Sequence, residues 1–120
     1  VMMCDRDIRS ATEAALELLS RPERPTAVFA FNDVLAAGVM KAARRLGLEI
    51  PQELSVVGFD DSTICAMLEP ELSSARVDCR RMGELSMERM TALLSGTENV
   101  PRLTVVPVEL RVRASSRTHT

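Results

Sequence analysis

The 120-residue sequence has no tryptophan and no tyrosine, and phenylalanine occurs only three times. Its core must therefore be built from aliphatic side chains and from methionine, of which there are seven. Long hydrophobic runs are also missing, because none approaches the roughly 18 residues that a helix needs to cross a bilayer. No signal-peptide pattern opens the chain. We therefore expect no contact with a membrane.

Histidine and cysteine are scarce, which limits the chemistry that the chain can carry. The only histidine is His119, so a Ser-His-Asp or Cys-His arrangement has no credible base. The three cysteines are odd in number and lack C-x-x-C spacing, which argues against a disulfide framework or a zinc site and favours a reducing cytoplasmic setting. Neither a P-loop nor a G-x-G-x-x-G motif occurs. We expect no cofactor, no metal and no enzymatic activity.

The charge balance is nearly even, with a formal net charge of -2. A segment without an excess of basic residues is not expected to grip the phosphate backbone of nucleic acid itself. Apolar residues make up 46% of the chain and charged residues 27%, as in ordinary globular domains. The length suits one domain with a moderate core.

The central stretch, residues 26–61, predicts a strand, a helix and a second strand. The apolar runs at 28–31 and 56–59 do not alternate with polar residues, so we expect parallel strands buried on both faces. A helix over 34–46 is predicted between them, with Asn32 or Asp33 as its cap and Gly47 at its end. Gly38 lies inside that helix, where it costs about 1 kcal/mol against alanine unless a close backbone approach to the sheet compensates.

The same pattern extends towards both termini. Residues 1–4 are predicted as a strand, and a helix to about residue 19 follows, capped by Asp5 or Asp7. After the central stretch we expect a short helical turn at 62–68, strands at 72–77, 103–106 and 109–112, a helix at 80–95 and a frayed tail at 113–120. Alternating strands and helices indicate an α/β fold with a Rossmann-like, doubly wound, mostly parallel sheet.

Polar side chains close both central strands. Asn32 follows the first and Asp60 ends the second, and ligands of parallel sheets bind beyond the carboxyl ends of their strands. An amide beside a carboxylate can bind the vicinal hydroxyls of a sugar. Alternatively, Asn32 is only a helix cap and Asp60 only begins a turn. Mg²⁺ at Asp60 and Asp61 is less favoured, because no third carboxylate is well placed.

Arg6 follows the first predicted strand and could reach the same edge of the sheet. Its guanidinium would suit a carboxylate, a phosphate or the face of a sugar ring. The plainer interpretation is a solvated loop arginine.

Four segments carry a family resemblance: RPTAVFAFND, AAGVMKAARRLGLEIPQELSVVGFDD, LEPELSSARVDCRRMGELS and PVELRVRASS. In this order and spacing the chain resembles the effector-binding region of Lac/Gal repressor-type bacterial transcription regulators over nearly its whole length. The resemblance implies the C-terminal part of a type I periplasmic-binding-protein-like sensor domain, in which two Rossmann-like subdomains enclose a ligand.

The resemblance also implies roles for particular residues. The effector would be bound by Arg6, Asn32, Asp60 and Cys79. The homodimer would be formed through Val34, Leu35, Met67 and Leu68. Arg6 occupies a position where the family usually has an aromatic residue, which favours an acidic or phosphorylated effector over a plain neutral sugar.

Further implications concern the organisation of the chain. Residues 1–78 would form the C-terminal subdomain, 79–102 a crossover helix that belongs with an absent N-terminal subdomain, and 103–120 the return strands and tail. The helix-turn-helix is absent, so operator DNA would be reached only through another part of the protein. We expect a cytoplasmic repressor fragment that senses a sugar, sugar phosphate or similar polyol.

Two other functions remain open at this point. One is a periplasmic sugar-binding protein of a transporter with the same fold. The other, less favoured, is a small α/β metal-dependent phosphatase that would use Asp60 and Asp61.

Overall fold

One four-stranded sheet, in the order β1-β2-β3-β4, organises the computed structural model, which describes residues 1–118. The strands are β1 (Ala27–Phe29), β2 (Ser55–Asp60), β3 (Ser73–Val77) and β4 (Val108–Arg111). The helices are α1 (Ile8–Leu19), α2 (Asp33–Arg45) and α3 (Cys79–Leu94), with a 3₁₀ turn at Thr63–Ala66. Both β1 with β2 and β2 with β3 pair in parallel, so the predicted mostly parallel α/β sheet is confirmed. No helix within residues 1–118 is long and apolar enough to span a membrane.

The described chain forms two compact units. The first comprises Val1–Arg76 and the segment from Leu110 onward, and the second is Val77–Glu109. The core lies in the first unit, where Leu54, Val56 and Leu72 are fully buried beside the small side chains of α2. In the second unit no residue of α3 is buried. Exposed apolar side chains on α3 are Met82, Met87, Met90, Leu93 and Leu94.

Helix α2 packs against α1 through a glycine. An added Cβ on Gly38 would lie 2.6 Å from the Ala11 Cβ and 3.1 Å from the Ile8 carbonyl oxygen. The absence of a side chain therefore lets two helices approach closely, and this offsets the helix-propensity cost of glycine. The compensating neighbour of Gly38 is therefore α1 and not the sheet.

Side-chain caps begin these two helices as predicted. Asp7 accepts hydrogen bonds from the backbone N–H groups of Ser10 and Arg9, both at 2.9 Å. The Ser10 bond is the main reason that the pKa of Asp7 lies below its ordinary value. Asn32 caps α2 by accepting from the Leu35 N–H.

The prediction that both central strands are buried on both faces is wrong. In β2, Val56 and Gly58 are buried on the face that α2 covers, whereas Val57 and Phe59 are only half-buried. Strand β1 is more open still, and Phe29 is 67% exposed. The apolar runs were continuous because the second face is hydrophobic, but within the described chain only one face is packed.

Two predicted strands do not form. Residues 1–4 and 103–106 have no strand pairing, although both runs are apolar. Leu103 and Val105 are each 78% exposed, and Pro101 and Pro107 flank them without N–H groups to donate. An apolar run becomes a strand only where a neighbouring strand supplies hydrogen-bonding partners.

The segment after β4 is ordered, so its prediction as a frayed tail is wrong for residues 113–118. Ser115 is fully buried and its hydroxyl donates to the Val56 carbonyl at 2.6 Å. The Val56 N–H in turn donates to the Ser115 carbonyl, and the Ser115 N–H donates to the Glu71 carbonyl. Backbone pairing of this kind fixes the segment beside the beginnings of β2 and β3.

Candidate functional site

The carboxyl ends of β1 and β2 form one edge of the sheet. Phe29 pairs with Val57 in the parallel ladder, and Asn32 and Asp60 each come three residues later, so both belong to this edge of the sheet. On the other side of β2, Asp60 pairs with Arg76 of β3. The edge where the sequence predicted a ligand therefore carries an amide, a carboxylate and a guanidinium on three adjacent strands or their ends.

Asn32 serves α2 with one half of its amide. Its Oδ1 accepts the Leu35 N–H at 2.9 Å. The interpretation of Asn32 as a helix cap is therefore correct, but the cap uses only the oxygen of the amide. The residue remains partly accessible, and its NH₂ group has no partner among residues 1–118. The Asn32 NH₂ group can therefore donate a hydrogen bond to a ligand at the sheet edge while Oδ1 continues to cap α2.

Asp60 and Asp61 differ sharply in environment. The Asp60 carboxylate is exposed and, within the described chain, accepts no hydrogen bond. The Asp61 side chain is only 12% exposed, and its Oδ1 lies 2.7 Å from Nη2 of Arg113. Asp60 is therefore available to a ligand, whereas Asp61 is committed to the protein.

Asp33 is a structural residue of the site that the sequence interpretation missed. Its carboxylate is 1% exposed and accepts hydrogen bonds from the Ser62 N–H and hydroxyl and from the Ser74 hydroxyl. It lies directly on Gly58, where an added Cβ would collide with Asp33 Oδ1. The only sequence signal was an aspartate that follows a residue already able to cap the helix, together with a glycine inside an apolar strand.

Arg113 is the second residue that was missed. Its guanidinium contacts Asp61, and its Nη1 donates to the Leu72 carbonyl at 2.8 Å. The bond to Asp61 is the main reason that the pKa of Arg113 lies above its ordinary value. Its position in a polar C-terminal stretch gave no sign of this role.

Cys65 lies beside the same carboxylates. It is 1% exposed, and burial, followed by a hydrogen bond with Asp33, raises its pKa to about 11. The thiol is therefore protonated near neutral pH and is a packing residue with weak nucleophilicity.

Arg6 lies over an aromatic ring at this edge. Its guanidinium carbon is 5.2 Å from the centroid of Phe31, within the range of a cation–π contact. Phe31 is 65% exposed and immediately precedes Asn32. The predicted Arg6 is thus brought to the neighbourhood of Asn32.

An apolar cavity of about 450 Å³ lies between α1 and β1. Its walls include Leu18, Leu19 and Phe29, and Arg6 is its charged lining residue. Walls of this kind offer few partners for sugar hydroxyls, so the polar edge at Asn32 and Asp60 is the better candidate for a polyol site.

The other predicted residues occupy varied environments. Cys79 begins α3 in the second unit and is exposed there. Val34 and Met67 are 39% and 80% exposed, whereas Leu35 and Leu68 are half-buried against the core. Among residues 1–118 no group of three histidine, cysteine or acidic side chains is placed to hold a metal ion. His119 lies outside the described residues.

Comparison with known proteins gives a consistent result. Residues 2–116 match the model of the periplasmic binding protein-like domain. The HTH-type transcriptional repressor PurR of Vibrio vulnificus is 36% identical over 104 residues, which are 87% of this chain and 31% of that protein.

Solved structures agree in fold. A LacI family transcriptional regulator from Arthrobacter sp. FB24, in complex with lactose, superposes with a TM-score of 0.86 at 31% identity, covering 97% of this chain and 44% of that one. The lac repressor dimer bound to operator and the anti-inducer ONPF gives a TM-score of 0.88 at 29% identity, covering 96% and 40%. This chain spans about a third of the length of the PurR relative. It belongs to the periplasmic binding protein-like domain family, in the form carried by LacI-type transcriptional regulators.

Proposed function

We propose that this chain is the effector-sensing and dimerising portion of a bacterial transcriptional repressor. The observation that carries the proposal is the exposed, unpartnered carboxylate of Asp60 at the carboxyl edge of a parallel sheet, the edge that also carries the unpartnered NH₂ group of Asn32. The LacI-type relatives support it, since PurR is a repressor and the Arthrobacter regulator holds lactose. A periplasmic transport protein and a metal-dependent phosphatase find no such support.

The effector is a polyol such as a sugar or sugar phosphate. Asp60 accepts hydrogen bonds from two hydroxyls, and the Asn32 amide donates to a ring or hydroxyl oxygen. Arg6, held over Phe31, supports an effector with a carboxylate or phosphate, because its guanidinium matches those groups in charge and geometry. Cys79, exposed at the start of α3, is a further effector-binding residue in this proposal, as the family resemblance implies.

Binding acts on DNA indirectly. The effector prefers one closure state of the two subdomains, and this differential affinity shifts the geometry with which the dimer meets its operator. Residues 79–102 pack with the other subdomain, which is supported by the exposed apolar side chains of α3. Contact with operator belongs to a separate helix-turn-helix, in keeping with the net charge of -2 on this chain.

The dimer forms through the start of α2 and the turn after β2. Val34 and Met67 supply the exposed apolar contacts, and Leu35 and Leu68 support them from the core. The protein acts in the cytoplasm as a regulator without enzymatic activity.

The decisive test is isothermal titration of the full-length protein with lactose, cellobiose, glucuronate and glucose phosphate. Asp60→Gly removes the carboxylate and tolerates the positive φ of 100°, so it keeps the fold while weakening the tightest of these probes about a hundredfold. Glu23→Gly, in the exposed loop before β1, is the matched control and binds normally. Unchanged affinity in Asp60→Gly overturns the site.

Arg6→Leu separates the effector classes. If the effector is anionic, this variant weakens glucuronate or glucose phosphate about tenfold or more and leaves the neutral sugars unaffected. Equal affinity of the variant and the native protein for all four probes removes Arg6 from the site but leaves Asp60 untouched.

A further inference from the structure

The turn that presents Asp60 is strained. Asp60 has φ of 100° and Asp61 has φ of 53°, both in the left-handed region that glycine usually occupies. Such conformations are unfavourable for residues other than glycine and persist only where the surrounding structure holds them. Two in succession at the end of β2 therefore require a restraint.

Hydrogen bonds from the backbone N–H groups of the turn to buried side chains supply one part of that restraint. The Asp61 N–H donates to the Ser74 hydroxyl oxygen at 3.1 Å, and the Ser62 N–H donates to Asp33 Oδ2 at 2.7 Å. Ser74 and Asp33 are themselves joined by a 2.6 Å hydrogen bond between the hydroxyl and Oδ1. The buried Asp33–Ser74 pair thus fixes the two amides that follow Asp60.

An ion pair supplies the other part. Arg113 holds the Asp61 carboxylate at 2.7 Å while its own backbone N–H donates to the Ser73 hydroxyl at 2.8 Å. Because Arg113 is anchored at the beginning of β3 and reaches the end of β2, it can pull Asp61 inward. The Asp61 side chain is accordingly only 12% exposed, whereas Asp60 is exposed.

We propose that Arg113 and the Asp33–Ser74 pair are positioning residues, which hold the Asp60–Asp61 turn so that the Asp60 carboxylate faces the effector. This inference rests on the proposed function of Asp60 as an effector ligand. Arg113 and Ser74 do not touch the effector themselves; they act through the backbone and through Asp61. Preorganisation of this kind raises affinity because binding does not have to order the turn.

The test is a double-mutant cycle in the full-length protein, with the tightest of lactose, cellobiose, glucuronate and glucose phosphate as the probe. Arg113→Gln weakens that probe about tenfold in the native background. In the Asp60→Gly background it weakens the probe no further, because the group that it positions is gone. Arg117→Gln, in the same segment and bonded to the Gln52 carbonyl, is the control and leaves affinity unchanged.

The outcomes separate cleanly. If Arg113→Gln weakens binding equally in both backgrounds, or in neither, Arg113 has only a general structural role and the inference is wrong. If Asp60→Gly alone binds normally, the proposed site itself fails, whatever Arg113 does.

A ligand-independent arm uses amide hydrogen exchange. Ser74→Ala removes the acceptor of the Asp61 N–H, and Arg113→Gln releases the Asp61 carboxylate. Both changes loosen the turn and accelerate exchange at Asp61 and Ser62 about tenfold or more. Exchange within α1 stays unchanged. If Arg113→Gln fails to fold, Ser74→Ala and Arg113→Lys carry the same comparison. Exchange at Asp61 and Ser62 that matches the native protein in these variants overturns the proposal.

Discussion

The carboxylate of Asp33, at the start of α2, accepts a 2.6 Å hydrogen bond from the hydroxyl of Ser74 in β3. The same carboxylate accepts from Ser62 after β2. One buried side chain therefore joins α2 to β3 and to the turn that follows β2, the turn that carries Asp60 and Asp61.

We predict that Asp33→Asn lowers the free energy of unfolding by about 3 kcal/mol, because an amide places an N–H group against donors that require an acceptor. Urea unfolding of the full-length protein, followed by circular dichroism, measures the change. The control is Asp78→Asn, at the exposed cap of α3, where asparagine caps as well as aspartate and stability is retained. A loss of less than about 1 kcal/mol in Asp33→Asn contradicts the joining role.

Local patterns in the sequence were sufficient for the helices and for most of the sheet. The spacing of Ile8, Ala11 and Ala15 predicted α1, and the apolar runs predicted β1 and β2, because these signals depend on neighbours a few residues away. The positions of Asn32 and Asp60 at the carboxyl edge followed from the parallel arrangement alone.

The missed features all depend on partners distant in the chain. Asp33 is bonded to residues 29 and 41 positions away, and Ser115 is bonded to Val56 across 59 positions. The sequence around a serine in a polar terminal stretch does not indicate whether that serine is buried and hydrogen-bonded or lies in a frayed end. Residues 1–4 show the converse error, because an apolar run alone does not supply a pairing partner.

A second prediction concerns Gly58. An alanine there would drive its Cβ into Asp33 Oδ1 and to 3.1 Å from Leu72 Cδ2, so we expect Gly58→Ala to lower stability by about 1–3 kcal/mol. Gly83→Ala is the matched control, since nothing lies within 4 Å of its added Cβ. In the helix α3 that change raises stability by about 0.5–1 kcal/mol. Thermal unfolding of both variants measures these changes. If Gly58→Ala is as stable as the native protein, the Asp33 carboxylate can move away from the added Cβ, which contradicts its fixed position.

A third prediction follows from the buried thiol. Because the thiolate is the reactive form, iodoacetamide at about pH 8 alkylates the exposed Cys4 and Cys79 and spares Cys65, whose pKa is raised to about 11. Intact-mass spectrometry counts the adducts. Modification of Cys65 as fast as the exposed cysteines contradicts its burial beside Asp33.

The same shift gives a pH dependence of stability. Folded protein keeps the Cys65 proton at pH values where the unfolded chain has released it, so the free energy of unfolding falls as pH rises from 9.0 towards about 11. Below that window both states are protonated and Cys65 contributes no slope. In Cys65→Ala the free energy of unfolding should fall less steeply with pH in this window. If the pH dependence of that variant matches the native protein, groups other than Cys65 cause it.

A fourth prediction tests the proposed dimer surface. Met67 is 80% exposed and Val34 is 39% exposed, so a charge at either position does not disturb the core of the protomer. In the proposed interface it would lose its water without gaining a partner, and we expect Met67→Glu and Val34→Glu to weaken dimerisation about a hundredfold. Sedimentation equilibrium of the full-length protein measures this. Met3→Glu, on an equally exposed methionine, leaves the dimer intact. If both interface variants remain dimeric, the subunits meet through another surface, because a buried unpaired carboxylate on each protomer could not be accommodated without that loss.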